Sequence, residues 1–380
     1  MKTLITPLLA LGFGLSALAQ DPCINIQYSE QLDVNQVSTS IGTGGMNFFD
    51  CSSGVYEVPK GSGLNSNFAG SIWVSGLDDQ NKIYAANQTY RQSESIFWPG
   101  PLDQLGNATP NSCVQHSRPT KLNKFEVEQF RAHYQDPNYQ IPGAILNYPA
   151  KGNTTGNSPY SAPFVDANSD GVYNPHDGDY PDFWGDGSCD DQLYGHQNVY
   201  TVYNDAGFDE SMGIDIHQQS YAFHTEDGPS STSTFYKYTV INRSSRSYFN
   251  TSFAFFMDGD LGNYLDDYVG IDVSRGMGYT YNGDAEDEGT SGYGEFPPAL
   301  GHAILQGPLA EANDGIDNDF DGVVDEANER ILHSGFVYFN NDFSVTGNPE
   351  TAEEYYNYAN ARWKDGQPIT YGVDGRNGSG

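Results

Sequence analysis

The sequence predicts a mainly β protein, an antiparallel β-sandwich-like body with two short helices and calcium-binding loops. Three observations carry this expectation. Alternating or aromatic runs recur at short intervals between Gly, Asn, Asp and Ser turns. Two stretches combine helix caps with apolar spacing of 3.6. The acids gather in Gly-rich stretches with the alternate-residue spacing of oxygen-ligated calcium loops.

The 380 residues suffice for one large domain or two to three ordinary ones. Residues 1–19 read as a secretory signal peptide. Lys2 supplies positive charge, Leu4 to Leu15 is mostly apolar, and Ala17-Leu18-Ala19 suits cleavage before Gln20. The apolar run is short for a membrane span and Pro7 interrupts it. No later stretch is long and apolar enough to span, so the mature chain is expected to be secreted or held at the cell surface, with no transmembrane segment.

Residues 20–160 form the expected N-terminal β-rich region. Ser71–Asp78 and Lys82–Gln92 read as a hairpin turning at Asp79-Gln80-Asn81. The region's helix starts at Asn123, with Glu126 as in a capping box and Val127, Phe130 and Tyr134 on one face. The polar stretch Gly152 to Ser161 is the best boundary. Residues 161–345 form the β-sandwich-like region, with strand signals in Gln219–Asp227, Ser233–Ser245, Tyr248–Asp260, Asp266–Asp284 and His333–Asp342. Residues 346–380 hold the second helix and an incomplete C-terminal segment. Asn348 is its expected cap, Pro349 lies in the first turn and Gly366 is the stop.

Lys and Arg number 17 against 50 Asp and Glu, a formal charge of −33. Such a field repels nucleic acid and anionic lipid and attracts divalent cations. The 27 Tyr, 21 Phe and 4 Trp distinguish the chain from a disordered acidic polymer. Cys23, Cys51, Cys113 and Cys189 allow two disulfides in an exported chain, by any of three pairings.

Two loops carry the metal expectation. In the first, Asp166, Asn168, Asp170, Gly171, Asn174 and Asp177 occupy positions 1, 3, 5, 6, 9 and 12 of an EF-hand-type loop, and Val172 offers its carbonyl at position 7. This segment resembles dockerin calcium loops over about a dozen residues. Gly178-Asp179-Tyr180-Pro181 then stops any exiting helix, and no second copy follows at dockerin spacing, which argues against dockerin–cohesin docking. Asp179, Asp182 and Asp186 are candidates for a further ion. In the second, Asp317, Asp319, Asp321, Gly322, Val323 and Asp325 repeat the pattern. Asn328 is a poor ligand at position 12, and Glu326 is its expected substitute. This stretch resembles thrombospondin type 3 repeats. A third stretch, Met257–Gly270, groups Asp258, Asp260, Asp266 and Asp267 and reads equally as an acidic turn or a third ion site.

"SIWVSGLD", "FFMDGDLGNYLDDYVGIDVSRGMGYTYNGD" and "YYNYANARWKDGQPITYGVDG" resemble stretches of large secreted proteins of Bacteroidetes-type bacteria, many exported by the type IX secretion system. The resemblance implies a cell-surface or released protein with a β-rich body. The chain has no H-E-x-x-H, G-x-S-x-G or P-loop, and Glu295 is an isolated acid candidate. Trp98 and Trp184, in Gly/Pro-rich loops, either stack on sugar rings or pin their loops. The expected function is a secreted, calcium-stabilised protein with a binding, adhesion or structural role and glycans among its candidate partners. The alternative is a secreted hydrolase acting on extracellular polymer.

Overall fold

The structure, a computed structural model, describes Cys23 and residues 28–92, 96–152, 161–182, 193–272 and 275–370. The expected signal peptide, Asp186, Trp184 and Cys189 lie outside the described residues, as does most of the Gly152–Ser161 boundary.

Strands dominate, paired antiparallel in several sheets. β1 (Ser29–Leu32), β2 (Ser38–Gly42) and β3 (Tyr56–Glu57) pair in that order. β4 (Ala69–Leu77) and β5 (Ile83–Asn87) form the expected hairpin, because Asp78 binds the turn: its Oδ1 accepts the N–H groups of Gln80 and Lys82, both at 2.9 Å. Next come β6 (Trp98–Pro99), α1 (Pro110–Gln115), β7 (Thr120–Asn123), α2 (Lys124–His133) and α3 (Gly143–Leu146). β8 (Phe164–Val165) and β9 (Tyr180–Pro181) pair across the first acidic loop. β10 (Gln197–Asn204), β11 (Ile214–Ala222) and β12 (Phe235–Asn242) form a meander, and β6 and β7 lie on the far side of β10. β13 (Phe249–Asp258) adds to β4. β14 (Asp267–Asp272), β15 (Met277–Asn282) and β18 (Ala299–Ala303) make another sheet, interrupted by the small pair β16 (Glu286–Asp287) and β17 (Gly294–Glu295). α4 (Ala352–Ala359) follows.

The core has two sides at β10. Tyr200 and Val202 pack with Leu122, Val127, Phe130 and Tyr148 beneath α2 and α3. Tyr203, on the other face, packs with Ile214 and Ile216 of β11 and with Ile72, Val74, Tyr84 and Ala86 of β4 and β5. The reverse face of β4 presents Trp73 to Phe256, Tyr355 and Tyr358, so α4 closes a third cluster. A strand covered on both faces must satisfy its polar side chains internally. Asn204 Nδ2 accordingly donates to the Gly100 carbonyl at 2.7 Å, and the Thr201 hydroxyl to that of Thr43 at 2.9 Å.

Among the described residues, four short helices stand where two were expected. α1 and α3 are too short to carry a readable apolar period. Asn123 sits at the N-terminus of α2, but its amide donates to Glu126 at 3.0 Å and makes no capping bond. The last helix begins at Thr351 rather than Asn348. Thr351 and Glu354 form a full capping box, and that bonding outweighs a Pro at the first turn. His333–Asp342 is not a strand, and only Asn340 makes a bridge. Val337 and Phe339 instead pack on the Trp73 cluster, so the segment is held by side chains.

Cys23 and Cys113 form a disulfide that spans 90 residues. Cys51 is exposed. Replacing Cys23 and Cys113 by Ser is expected to cost roughly 2–5 kcal/mol of stability, read as a lower denaturant midpoint. An unshifted midpoint would show the bond to be dispensable.

Candidate functional site

The two acidic loops differ in most of their residues yet fold alike. In the first, Asp166 Oδ2 accepts the Gly171 N–H at 2.7 Å, Asn168 Oδ1 that of Asp170 at 3.0 Å, and Asp170 Oδ1 that of Val172 at 2.8 Å. In the second, Asp317 Oδ2 accepts from Gly322 at 3.0 Å, Asp319 Oδ1 from Asp321 at 3.2 Å, and Asp321 Oδ1 from Val323 at 2.8 Å. Counted from each leading Asp, these are the same links from position 1 to 6, 3 to 5 and 5 to 7. Position 4 is left-handed in both, at Ser169 (φ 62°) and Phe320 (φ 61°). So is position 6, at Gly171 (φ 78°) and Gly322 (φ 94°), where glycine alone avoids strain.

A second acid closes each loop, and the sequence gives little warning of it. Asp179 is fully buried and accepts the N–H groups of Ala167 and Asn174, both at 2.8 Å. Glu329, also buried, accepts the N–H of Asn318. Ala167 and Asn318 both hold position 2. Burial, together with Asp166 and Asp170, pushes the Asp179 carboxyl up despite those two donors. The expectation that Asp179 serves a further ion therefore meets a residue already committed to backbone. Its companion Asp182 is buried.

The loops differ in anchorage. Tyr173, at position 8 of the first, is buried, donates to the Ile145 carbonyl at 2.7 Å and contacts Phe164 edge-on. Asn174 caps the 3-10 turn Pro175–Asp177 and donates to Asp177 at 2.6 Å, and Gly178 ends the turn. In the second loop position 8 is Val324, half exposed, beside exposed Phe320 and Val323. Asp325, half-buried, accepts from the Gly315 N–H.

They differ also in how their oxygens converge. Asp317, Asp319 and Asp321 each place a carboxylate oxygen within 4.8 Å of the others, as do Asp319, Glu326 and Glu329. Asp317 Oδ1 and Glu326 Oε2 are buried and lack a hydrogen-bond partner. Calcium holds oxygens at about 2.3–2.6 Å, so ligands across one ion lie up to about 5 Å apart. These two trios of the second loop, which share Asp319, each fit that dimension. In the first loop Asn168 donates to Asp170 at 3.0 Å, and Asp166, Asp170 and Asp177 form no such trio.

The third stretch is a crossing of repelling acids. Burial with Asp258 and Asp267 nearby pushes Asp260 up to about 7. Burial, Asp287 and Asp266 push Asp267 up to about 6, although it accepts the Leu261 N–H at 2.7 Å. Asp287 accepts the N–H groups of Asn263 and Tyr293 at 3.0 and 2.7 Å.

Histidines serve packing. His217 Nδ1 meets the Tyr200 hydroxyl at 2.7 Å, and burial pulls its pKa down to about 3. His116 meets the Ser112 carbonyl at 2.9 Å and the Ser161 hydroxyl at 3.1 Å, with both His116 and Ser161 buried. Trp98 is wedged against Gly207, where a Cβ would lie 2.4 Å from its Nε1. Glu295 is exposed in β17 opposite Glu286. Searches of protein-family descriptions, curated proteins and solved structures return no match to this chain.

A carboxyl raised in the fold holds its proton more tightly folded than unfolded, so it destabilises progressively as pH rises from about 4 to its folded value. Asp260→Asn is therefore expected to raise the melting temperature in chelator by roughly 2–4 °C at pH 8 and to leave it unchanged near pH 4. An equal shift at both pH values would mean that the Asp260 charge is not the cause.

Proposed function

We propose that the chain is a calcium-stabilised extracellular protein with a binding or adhesion role, its cations held by the two acidic loops. The observation that carries this reading is the shared turn. Two stretches that share Asp, Asp, Gly and Val at positions 1, 5, 6 and 7 adopt one hydrogen-bond pattern, in which alternate side chains brace the turn. The partnerless oxygens of Asp317 and Glu326 support a cation in the second loop, because a buried carboxylate oxygen without a donor is costly. The all-carboxylate trios of the second loop favour calcium over zinc or copper. Asp166, Asn168, Asp170, Asn174 and Asp177, with the Val172 carbonyl, form the corresponding set in the first loop.

Export rests on the leader-like first nineteen residues and on the Cys23–Cys113 bond, which suits an oxidising compartment. How the polar groups are used supports a binding role: among the described residues, buried carboxylates mostly accept backbone N–H groups, and buried His116 and His217 Nδ1 meet a carbonyl or hydroxyls.

Thermal unfolding in millimolar calcium and in chelator tests the metal. Each site is expected to add on the order of 1 kcal/mol. Asp317→Ala with Asp321→Ala removes the second loop's share, and Asp166→Ala with Asp170→Ala the first's. Magnesium at equal concentration restores little, since it demands a tighter octahedral shell. Identical melting with and without chelator sinks the reading.

Limited proteolysis orders the loops. The second lacks a core anchor at position 8, so its cation holds more of its order. Chelator is expected to open the first cut within Asn313–Glu329, located by mass spectrometry. A first cut within Asp166–Asp177, or a pattern indifferent to calcium, contradicts this order.

A further inference from the structure

The sheet of β14, β15 and β18 turns one face to solvent. Tyr268 stands opposite Tyr281, Gly270 opposite Tyr279 and Asp272 opposite Met277. Beyond them, Ala299, Gly301 and Ala303 stand opposite Tyr281, Tyr279 and Met277. Residues directly opposite share a face, so three tyrosines lie together among small residues. Exposure alternates along β18 and the second half of β15, though Val269 of β14, on the reverse face, is also exposed. Tyr268 and Tyr281 are 59% and 40% exposed, while Thr280 and Asn282 on the reverse face are buried. Leu300, also on the reverse face, packs against Val37, Phe48 and Tyr56.

The rings form a shelf. Tyr268 and Tyr281 have centroids 6.0 Å apart, and Tyr279 and Tyr281 5.7 Å. Glycines let these side chains lie down on the sheet. A Cβ at Gly270 would come within 2.6 Å of the Tyr279 ring, and one at Gly283 within 2.6 Å of the Tyr268 ring. Each ring thus covers a glycine with one face. Met277 lies over Gly301 in the same way.

We propose that this tyrosine shelf binds a neutral polysaccharide, with successive sugar rings stacked on Tyr268, Tyr279 and Tyr281. The proposal rests on the binding role given above and names its ligand class and site. Sugar rings present apolar C–H faces edged by hydroxyls. A phenol matches both, the ring to the C–H face and the hydroxyl to the edge. The spacing of the rings is comparable with the length of one sugar unit. Charge selects among ligands that stack. Nucleic acid bases would also lie on such a shelf, but their phosphates, like the carboxylates and sulfates of acidic glycans, meet a chain of charge −33. Beside the shelf the exposed Arg275 is paired with Asp272, which offsets its charge. An uncharged, hydroxyl-rich chain is the partner this combination admits.

Native gel electrophoresis through gels containing hydroxyethylcellulose, xyloglucan or β-1,3-glucan, with polygalacturonate as the anionic control, tests the site. The full chain in calcium is expected to be retarded in at least one neutral gel and not in polygalacturonate. Tyr268→Ala with Tyr281→Ala is expected to weaken retardation about tenfold or more, and Tyr281→Phe to preserve it. Gly270→Ala keeps every ring but displaces Tyr279, and is expected to weaken binding as well. Thermal melting of each variant shows that the fold is retained, as exposed positions should allow. Free migration in every neutral gel by a protein whose melting still depends on calcium overturns the shelf and leaves the metal reading standing. Retardation that survives the double substitution, or occurs only in polygalacturonate, overturns it too. A dimer in sedimentation that the double substitution dissociates would assign the face to a second copy of the chain and likewise reject the glycan.

Discussion

The interaction on which this fold depends is the carboxylate that accepts backbone N–H groups. Much of the chain runs outside helices and sheets, and every buried N–H there needs an acceptor. Aspartate supplies it again and again. Asp205, buried between β10 and β11, takes the N–H groups of Met212, Gly213 and Ile214 and the Ser211 hydroxyl. Asp215 takes the Leu102 N–H and pairs with Arg243 at 2.7 Å. Asp103 closes its turn on Leu105 and Asn107, and those donors hold its carboxyl below the usual range. The two candidate cation loops are the densest form of this device, in which successive acids brace successive amides. The chain's negative charge is thus partly a consequence of how its loops are built.

The same device sets the electrostatic cost. Where donors outnumber burial, as at Asp103, an acid stays charged at little expense. Where burial is joined by neighbouring acids, as at Asp260 and Asp267, the carboxyl is driven toward its neutral form. Cations relieve such crowding where oxygens converge, and asparagine relieves it where an amide reaches a neighbouring acid. Asn168 and Asn174 do the latter in the first loop, and Asn318 does so toward Asp314 beside the second, where carboxylates also converge.

What the sequence revealed was what it encodes locally. The β4–β5 hairpin was legible because alternation and turn residues agree, and Asp317, Asp319, Asp321 and Gly322 because their spacing is a property of one loop. β10 was not, because both its faces are buried and Gln197, Asn198, Thr201 and Asn204 mix with Val199 and Tyr203, leaving no period-2 pattern. His333–Asp342 looked like a strand because Val337 and Phe339 alternate, but alternation specifies a face and not a hydrogen-bonded partner. Glu329 and Asp179 escaped notice as loop closers because their amides lie 11 and 12 residues away, beyond the reach of a spacing rule. The tyrosine shelf was hidden for the same reason, since it exists only once β14 and β15 are in register.

The bond between Cys23 and Cys113 has a mechanical meaning. β1 meets β2 along only four residue pairs, a contact that would peel open one rung at a time under tension from the amino end. Cys23 lies ahead of β1, and Cys113 sits within α1, packed against the Gly100 turn by way of Ser112. A pull arriving ahead of Cys23 is diverted through the sulfur bridge into α1 and the strands beneath it. Unzipping then gives way to shear, and the short amino-terminal sheet is spared the strain.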